Sequence, residues 1–192
     1  MTTSFPIEAR AAEDSLFEDT LSYEASLPAD FVAGPVPGHP AQAESLLHGI
    51  ALVEDLRGEE SGKEERGELP LLAQRMDAKL DLVLVLLGRL VRQTGESLPV
   101  RPLRWSGRGV RLDLAGAVDV PVGTEGLLRI QPSDWLPDHV ELAATVIATA
   151  TATGGASRLW LRFPEFPPPL EDALERHLFR QHRRQIAGSR RR

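Results

Sequence analysis

The sequence of 192 residues contains no cysteine. Disulfide bonds, thiolate nucleophiles and cysteine-ligated zinc or iron–sulfur sites are therefore excluded, while the redox compartment stays open. Long apolar runs are also absent, because the longest, from Leu82 to Gly88, is bounded by Asp81 and Arg89. A membrane-spanning helix needs about 20 apolar residues. The N-terminus has no basic start and no apolar stretch, so we expect no signal peptide and a soluble, cytoplasmic protein.

The familiar enzyme motifs are missing as well. The chain has no P-loop, no GxGxxG and no GxSxG sequence. His177 and His182 are five residues apart on a predicted helix, which places them poorly for sharing one metal ion. We interpret these two and His39, His48 and His139 as surface histidines without a role. We expect no enzyme, no metal site and no bound cofactor.

Charge is unevenly distributed along the chain. Residues 1–68 carry 4 Lys or Arg and 15 Asp or Glu, whereas residues 69–192 carry 18 and 13. Seven arginines and no acidic residue lie between Arg176 and Arg192, and residues 188–192 form a basic tail. This end either complements the negative pole of its own helix or contacts phosphate or another anionic partner. The acidic balance elsewhere disfavours a general nucleic-acid binder.

Residues 1–40 show no clean periodicity. Acidic residues mix with scattered apolar ones, and a Pro/Gly stretch follows from Gly34 to Pro40. The low hydrophobic density favours partial disorder, and the alternative is an extended arm that packs a few aromatic residues onto a neighbour. We therefore interpret residues 1–40 as a partly disordered acidic arm that ends in a linker.

Two helices are predicted next, in a helical oligomerisation region at residues 41–95. The first covers residues 41–57, and the second runs from about Glu68 to Gln93 with apolar residues in a near-heptad pattern. A helix of about 25 residues spans roughly 37 Å, longer than a small domain needs. Packing against the first helix alone covers only one flank, so we predict homo-oligomerisation. The predicted interface residues are Leu69, Leu72, Met76, Leu80, Val83, Leu87 and Leu90.

After Gly95 the pattern changes from helical to alternating. Short runs of alternating apolar and polar residues, separated by Gly, Pro and Asp, predict five or six antiparallel strands. Strands of this length and spacing favour a small β-barrel or sandwich. A last helix, from Leu170 to Ile186, follows a proline-rich break, so the predicted fold class is α+β. The predicted strands are 98–105, 110–114, 127–130, 140–151 and 158–163.

A glycine-rich turn from Arg104 to Gly109 joins the first two strands. The Ser106 hydroxyl and exposed backbone N–H groups in such a turn can hold an anion, and glycines let a ligand approach closely. An ordinary hairpin loop with glycine in the left-handed conformation is the alternative.

The order of the strands, the Ser106-x-x-Gly109 turn and the final helix resemble a PilZ domain, the cyclic di-GMP receptor module of bacteria. The two preceding helices are similar to the atypical branch of that family, in which helices assemble the barrels into a tetramer. The resemblance covers about residues 41–187. It implies a small antiparallel β-barrel at residues 96–187, preceded by two helices, the second long and heptad-like, and followed by a C-terminal helix.

The resemblance also identifies candidate ligand residues. Ligand-competent PilZ domains carry an RxxxR segment before the first strand and a (D/N)xSxxG motif after it, and their arginines grip guanine edges and phosphates. Ser106 and Gly109 match the second motif, but Arg104 stands at its Asp/Asn position. An arginine supplies only donors, so an acceptor for a guanine N–H is lost. The arginines shortly before the turn also lack the four-residue offset, and we expect weak or no cyclic di-GMP binding.

These observations lead to three hypotheses. In the first, the chain is a non-enzymatic bacterial signalling or scaffold protein of the PilZ type, a homotetramer that acts on unidentified signalling proteins. In the alternative, it is a functional cyclic di-GMP receptor with a non-standard site at Arg101, Arg104, Ser106 and Gly109. Binding of RNA or DNA through the arginine-rich tail is a third and weaker hypothesis.

Overall fold

The computed structural model describes residues 6–35, 38–60, 76, 80, 83, 97–133, 135–136, 138–151 and 155–189. The helices in this part of the chain are α1 (Ile7–Phe17), α2 (Pro40–Glu60) and α3 (Pro168–Ser189), and residues 76, 80 and 83 are helical too. The strands are β1 (Ser22–Ala33), β2 (Val100–Ser106), β3 (Gly109–Leu114), β4 (Glu125–Ile130), β5 (Val140–Thr151) and β6 (Ser157–Arg162).

The six strands form a closed antiparallel barrel in the order β1-β2-β3-β6-β5-β4. β1 closes the barrel, because Ser22–Pro28 pairs with β2 and Ala29–Ala33 pairs with β4. Pro28 lies where β1 changes neighbour, so its missing N–H falls at the end of a ladder and not in its middle. The predicted fold class, a small antiparallel barrel flanked by helices, is confirmed.

The interpretation of residues 1–40 as an arm is wrong for the described part of that segment. Ser22–Ala33 is a strand of the barrel, and Ile7–Phe17 is a helix packed on its outer wall. The barrel therefore begins before α2 and not at residue 96. Alternate residues from Tyr23 to Phe31 are apolar, but small alanines and a central proline weaken that strand signal.

The main core fills the barrel and continues beneath α2 and α3. Alternation along the first part of β5 turns every second side chain from Val140 to Val146 inward, and Trp105 of β2 is fully buried among them. Leu47 of α2 and Leu174 of α3 belong to the same cluster. Burying one such side chain stabilises the fold by about 1.5–3 kcal/mol. The two helices are therefore integral to the core.

A second, smaller apolar cluster lies on the outer wall of the barrel. Trp160 alternates with Leu159 and Leu161 of the main core and so faces outward. A register shift between Val146 and Ala148 brings Ala148 opposite Trp160. α1 covers this patch, and the buried members are Ala9, Ala12, Leu16, Phe17, Ala148 and Trp160.

Three of the predicted interface residues fall within the described part of the chain. Met76, Leu80 and Val83 are helical, and they are 57%, 59% and 50% exposed in the isolated chain. The other four, and the predicted bounds of their helix, lie outside the described residues. None of the helices in the described ranges combines the length and the apolar character that crossing a membrane requires.

Candidate functional site

The four candidate ligand residues lie toward opposite ends of the β2–β3 hairpin. Arg101, near the start of β2, donates from Nε to the Ala29 carbonyl oxygen at 3.0 Å and pairs with Asp30 at 3.3 Å. Ser106 is five residues further, roughly 16 Å along the strand. The structure therefore brings Arg104, Ser106 and Gly109 together but leaves Arg101 apart.

Arg104 is held by α1 and by the start of β1. Its Nη1 donates to Oε1 of Glu13 at 3.0 Å, and its Nε and Nη2 lie 3.3 and 3.2 Å from Oγ of Ser22. The guanidinium also stacks over Phe17, with Cζ 4.5 Å from the ring centroid. Its donors and one face are thus engaged within the chain.

Ser106 and Gly109 are fixed by packing against α1 and β6. Ser106 is fully buried, and its Oγ donates to the Leu16 carbonyl oxygen at 2.8 Å while accepting from the Arg108 N–H at 3.1 Å. A Cβ on Gly109 would lie 2.1 Å from the Leu161 carbonyl oxygen and 2.9 Å from Cδ2 of Leu16. Glycine is therefore required here by the close approach of backbone, and not by a left-handed turn.

Glu13 of α1 is the centre of the polar contacts on this wall. Its carboxylate accepts from Arg104 Nη1 at 3.0 Å, from Arg111 Nη1 at 2.8 Å and from Trp160 Nε1 at 2.7 Å. The side chain is 16% exposed, so these charge-assisted bonds are shielded from water. Glu13 does not stand out in the sequence, because it lies among other acidic residues and its three partners are 91, 98 and 147 positions away in the chain.

The last turn of α1 meets further donors. Arg108 Nη1 lies 3.4 Å from the Ser15 carbonyl oxygen and 3.2 Å from that of Glu18. These contacts, with the Ser106 bond to Leu16, serve carbonyls that have no partner inside a helix. We call this outer face of the barrel the α1 groove, lined by Arg104, Ser106, Arg108, Arg111, Ala148 and Trp160.

Two cavities in the described part of the chain lie outside the α1 groove. A cavity of about 440 Å³ opens next to Gly107, between the α1–β1 connection and α3, and its lining does not include Arg104, Ser106 or Gly109. Another, of about 270 Å³, includes Arg101 at the other end of the barrel.

The interpretation of His177 as a surface residue is wrong. It is 1% exposed, and its ring centroid lies 5.6 Å from that of Trp105, which lies 6.1 Å from that of Tyr23. Burial lowers the pKa of His177 to about 4, with a further contribution from the charges of Arg184 and Arg180. Burial, together with the charge of Glu54, raises the pKa of Tyr23 above its ordinary value.

Two other histidines contact one carboxylate at the start of β5. Glu141 lies 2.7 Å from His39 and 3.3 Å from His139. Burial raises the pKa of Glu141, but the hydrogen bonds and charges of the two histidines together lower it below its ordinary value. Within the described ranges, no group of three or more His, Asp or Glu residues is arranged to hold a metal ion. The paired arginines of α3 contact α2, Arg180 with Asp55 at 2.9 Å and Arg184 with Glu54 at 2.8 Å.

We compared the chain with solved structures, curated protein sequences and protein-family models. One solved protein, described as a pathogenic protein of Xanthomonas campestris, is 54% identical, with a TM-score of 0.78 over 95% of this chain and 99% of that chain. It is further described as a tetrameric PilZ domain that self-assembles via an unusual helical bundle. No curated protein sequence matches this chain.

Two more distant structures also match. The Bacillus subtilis inhibitor of motility is 18% identical, with a TM-score of 0.37 over 44% of this chain and 42% of that chain. The PilZ domain of Escherichia coli YcgR with cyclic di-GMP is 18% identical, with a TM-score of 0.37 over 48% and 79%. Similarities this low support no conclusion about this chain. The family model for the atypical PilZ domain, cyclic di-GMP receptor, matches residues 47–191. The chain therefore belongs to the atypical PilZ domain family.

Proposed function

We propose that the protein is a non-enzymatic PilZ-type signalling scaffold that forms a homo-oligomer, acts by binding other proteins and has weak or no affinity for cyclic di-GMP. The observation that supports this proposal is that α1 and the start of β1 already bind the polar groups of the candidate ligand residues. Arg104 is bonded to Glu13 and Ser22, and Ser106 to the Leu16 carbonyl. The cytoplasmic location expected from the sequence stays a prediction.

A nucleotide would have to replace these contacts before it gained any of its own. Hydrogen bonds to charged groups contribute on the order of 1.5–3 kcal/mol each, so displacing two or three weakens binding by several powers of ten. Arg101 is separately committed to Ala29 and Asp30. The alternative, a functional receptor at Arg101, Arg104, Ser106 and Gly109, requires these internal contacts to open.

Calorimetric titration of the purified protein with cyclic di-GMP tests this part of the proposal. We expect no measurable heat of binding at micromolar protein. A micromolar or tighter Kd that is abolished by Arg104→Ala and retained in Arg162→Ala, which changes an exposed arginine of β6, would establish the receptor instead.

The homo-oligomer is supported by the exposed heptad residues. Met76, Leu80 and Val83 recur at steps of four and three and present apolar side chains to solvent in the isolated chain. The similar Xanthomonas campestris protein is tetrameric through a helical bundle. We propose that this chain also forms a tetramer, through Leu69, Leu72, Met76, Leu80, Val83, Leu87 and Leu90.

Light scattering coupled to size-exclusion chromatography tests the assembly. The double variant Val83→Glu, Leu87→Glu places charges among apolar heptad residues, and unpaired buried charge is strongly unfavourable. We expect a tetramer for the wild type and a monomer for this variant. Val122→Glu introduces the same charge at a residue that is 60% exposed in the turn before β4, and it should leave the tetramer intact. A monomeric wild type would refute the assembly.

A further inference from the structure

We propose that the α1 groove is a binding site for a helix of a partner protein, and that α1 is its resident, displaceable occupant. The partner helix carries small residues toward the barrel wall, one glutamate at the position of Glu13, and ends where α1 ends. This inference rests on the proposed function, because it makes the residues around Arg104 a protein-binding surface in place of a nucleotide site.

The groove has the shape of a helix-binding surface. α1 buries Ala9, Ala12 and Leu16 at steps of three and four, and these side chains pack on Trp160 and Ala148. Alanines at two of these positions let the helix backbone approach the flat indole closely. An extended peptide or a compact ligand does not repeat this spacing, so the apolar part of the groove selects a helix.

The polar lining recognises the end of a helix in particular. The Ser106 hydroxyl donates to the Leu16 carbonyl, and Arg108 faces the carbonyls of Ser15 and Glu18. The last four carbonyls of any helix lack partners inside it, and they form its negative pole. These donors therefore match a helix C-terminus, whereas a phosphate would leave the apolar patch on Trp160 uncovered.

A single carboxylate sets the register of the bound helix. Arg104, Arg111 and the Trp160 indole N–H converge on Glu13, so these three contacts are lost whenever α1 departs, while Arg104 keeps Ser22 and Arg111 keeps Asp113 as partners. A partner helix must supply an acidic side chain at the same position to restore the bonds. Charge at this position is therefore the main determinant of specificity.

α1 can leave without opening the barrel. Among the described residues, the main core cluster includes no residue of α1, which packs only in the smaller outer cluster. A helix of 11 residues is marginal on its own, so its order depends on docking. The connection to β1 is short and passes through Asp19 at a φ of 52°. Such a tether holds α1 near the groove at an effective concentration of about a millimolar, which an external helix must exceed.

The test uses the full-length protein and a fluorescently labelled peptide of residues 6–18. The variant Glu13→Lys repels Arg104 and Arg111 and should release α1 while leaving every groove residue intact. Fluorescence anisotropy should then show peptide binding to this variant, and binding to the wild type weaker by about a hundredfold. A labelled peptide with Gln in place of Glu13 should bind the released variant about tenfold more weakly.

Matched controls separate release of α1 from general damage. Glu8→Lys makes the same substitution at an exposed position of α1 and should behave as the wild type. Ala12→Glu releases α1 by burying a charge against the outer cluster, and it should bind the peptide as Glu13→Lys does. Circular dichroism confirms that each variant retains the barrel, so two independent releasing variants test the proposal.

Absence of peptide binding to both folded releasing variants would overturn the inference and make α1 a structural helix. Binding of cyclic di-GMP, and not of peptide, to the released variants would also overturn it, because the groove would then be a nucleotide site. Both results differ from failure of the proposed function, which is judged on the wild type by its affinity for cyclic di-GMP and its oligomeric state.

Discussion

Lowering the pH from about 7 to about 5 should destabilise the fold through His177. The folded state holds this side chain neutral, with a pKa lowered from 6.5 to about 4 by burial and by the charges of Arg184 and Arg180. The unfolded chain binds a proton there first as the pH falls. The stability that depends on neutral His177 is therefore present above about pH 6.5 and is lost progressively down to about pH 4.

The two pKa values set the size of the effect. At about pH 5 the unfolded state is favoured by about 2 kcal/mol relative to neutral pH, and the full effect below both values is about 3 kcal/mol. His177 is 1% exposed, so solvent does not screen the cost. Glu54, a carboxylate of α2, is already paired with Arg184 at 2.8 Å. A total stability of about 5–15 kcal/mol makes this loss easy to measure.

Urea unfolding at fixed protein concentration, followed by circular dichroism at both pH values, measures the effect. The variant His177→Leu keeps an apolar side chain between Trp105 and α3 and has no imidazole to protonate. It should lose about 2 kcal/mol less than the wild type between the two pH values. His182→Leu removes the other histidine of α3 and should retain the wild-type loss. Equal losses in wild type and His177→Leu would refute the reasoning.

Two further predictions concern buried contacts. Gly109→Ala should lower the free energy of unfolding by about 1–3 kcal/mol, because the new Cβ meets the Leu161 carbonyl. Gly107→Ala, with open space around its Cβ, should change the free energy of unfolding little, and denaturant unfolding compares the two variants. Tyr23, the single tyrosine, should stay protonated until the protein unfolds, because burial and the charge of Glu54 raise its pKa. The stability that depends on protonated Tyr23 is therefore present below pH 10 and is lost as the pH rises above 10. A tyrosinate absorbance titration checks this, and Tyr23→Phe should abolish the alkaline loss of stability.

Local patterns predicted most of the secondary structure. The alternation around Val110–Leu114 and Val140–Thr151 identified β3 and β5, and the proline-rich break located the start of α3. The sequence patterns of these elements are clear because one face of each element is buried and the other is exposed to solvent, so the hydrophobic periodicity follows the burial. The family resemblance then supplied the closed barrel, which strand spacing alone had left open between a barrel and a sandwich.

The prediction failed where a residue's partner is distant in the sequence. β1 carries small alanines and Pro28, and its pairing with both β2 and β4 is a property of barrel closure and not of local composition. His177 follows the same rule, because its ring packs on Trp105, which is 72 positions earlier in the chain and itself packs on Tyr23. No pattern around Glu13 indicates that two arginines and an indole converge on it.

The Ser106-x-x-Gly109 motif shows why such a motif needs its surroundings before it indicates binding. Both residues match the pattern of a ligand turn, yet each has a sufficient structural reason here. The Ser106 hydroxyl satisfies a carbonyl at the end of α1, and Gly109 permits the close contact of β3 with β6 and Leu16. A turn shaped for close approach serves a helix end as well as a nucleotide, because both present oxygen acceptors to the same donors. Arg104 favours the helix end over the nucleotide, because its guanidinium binds the carboxylate of Glu13 and supplies no acceptor to a guanine.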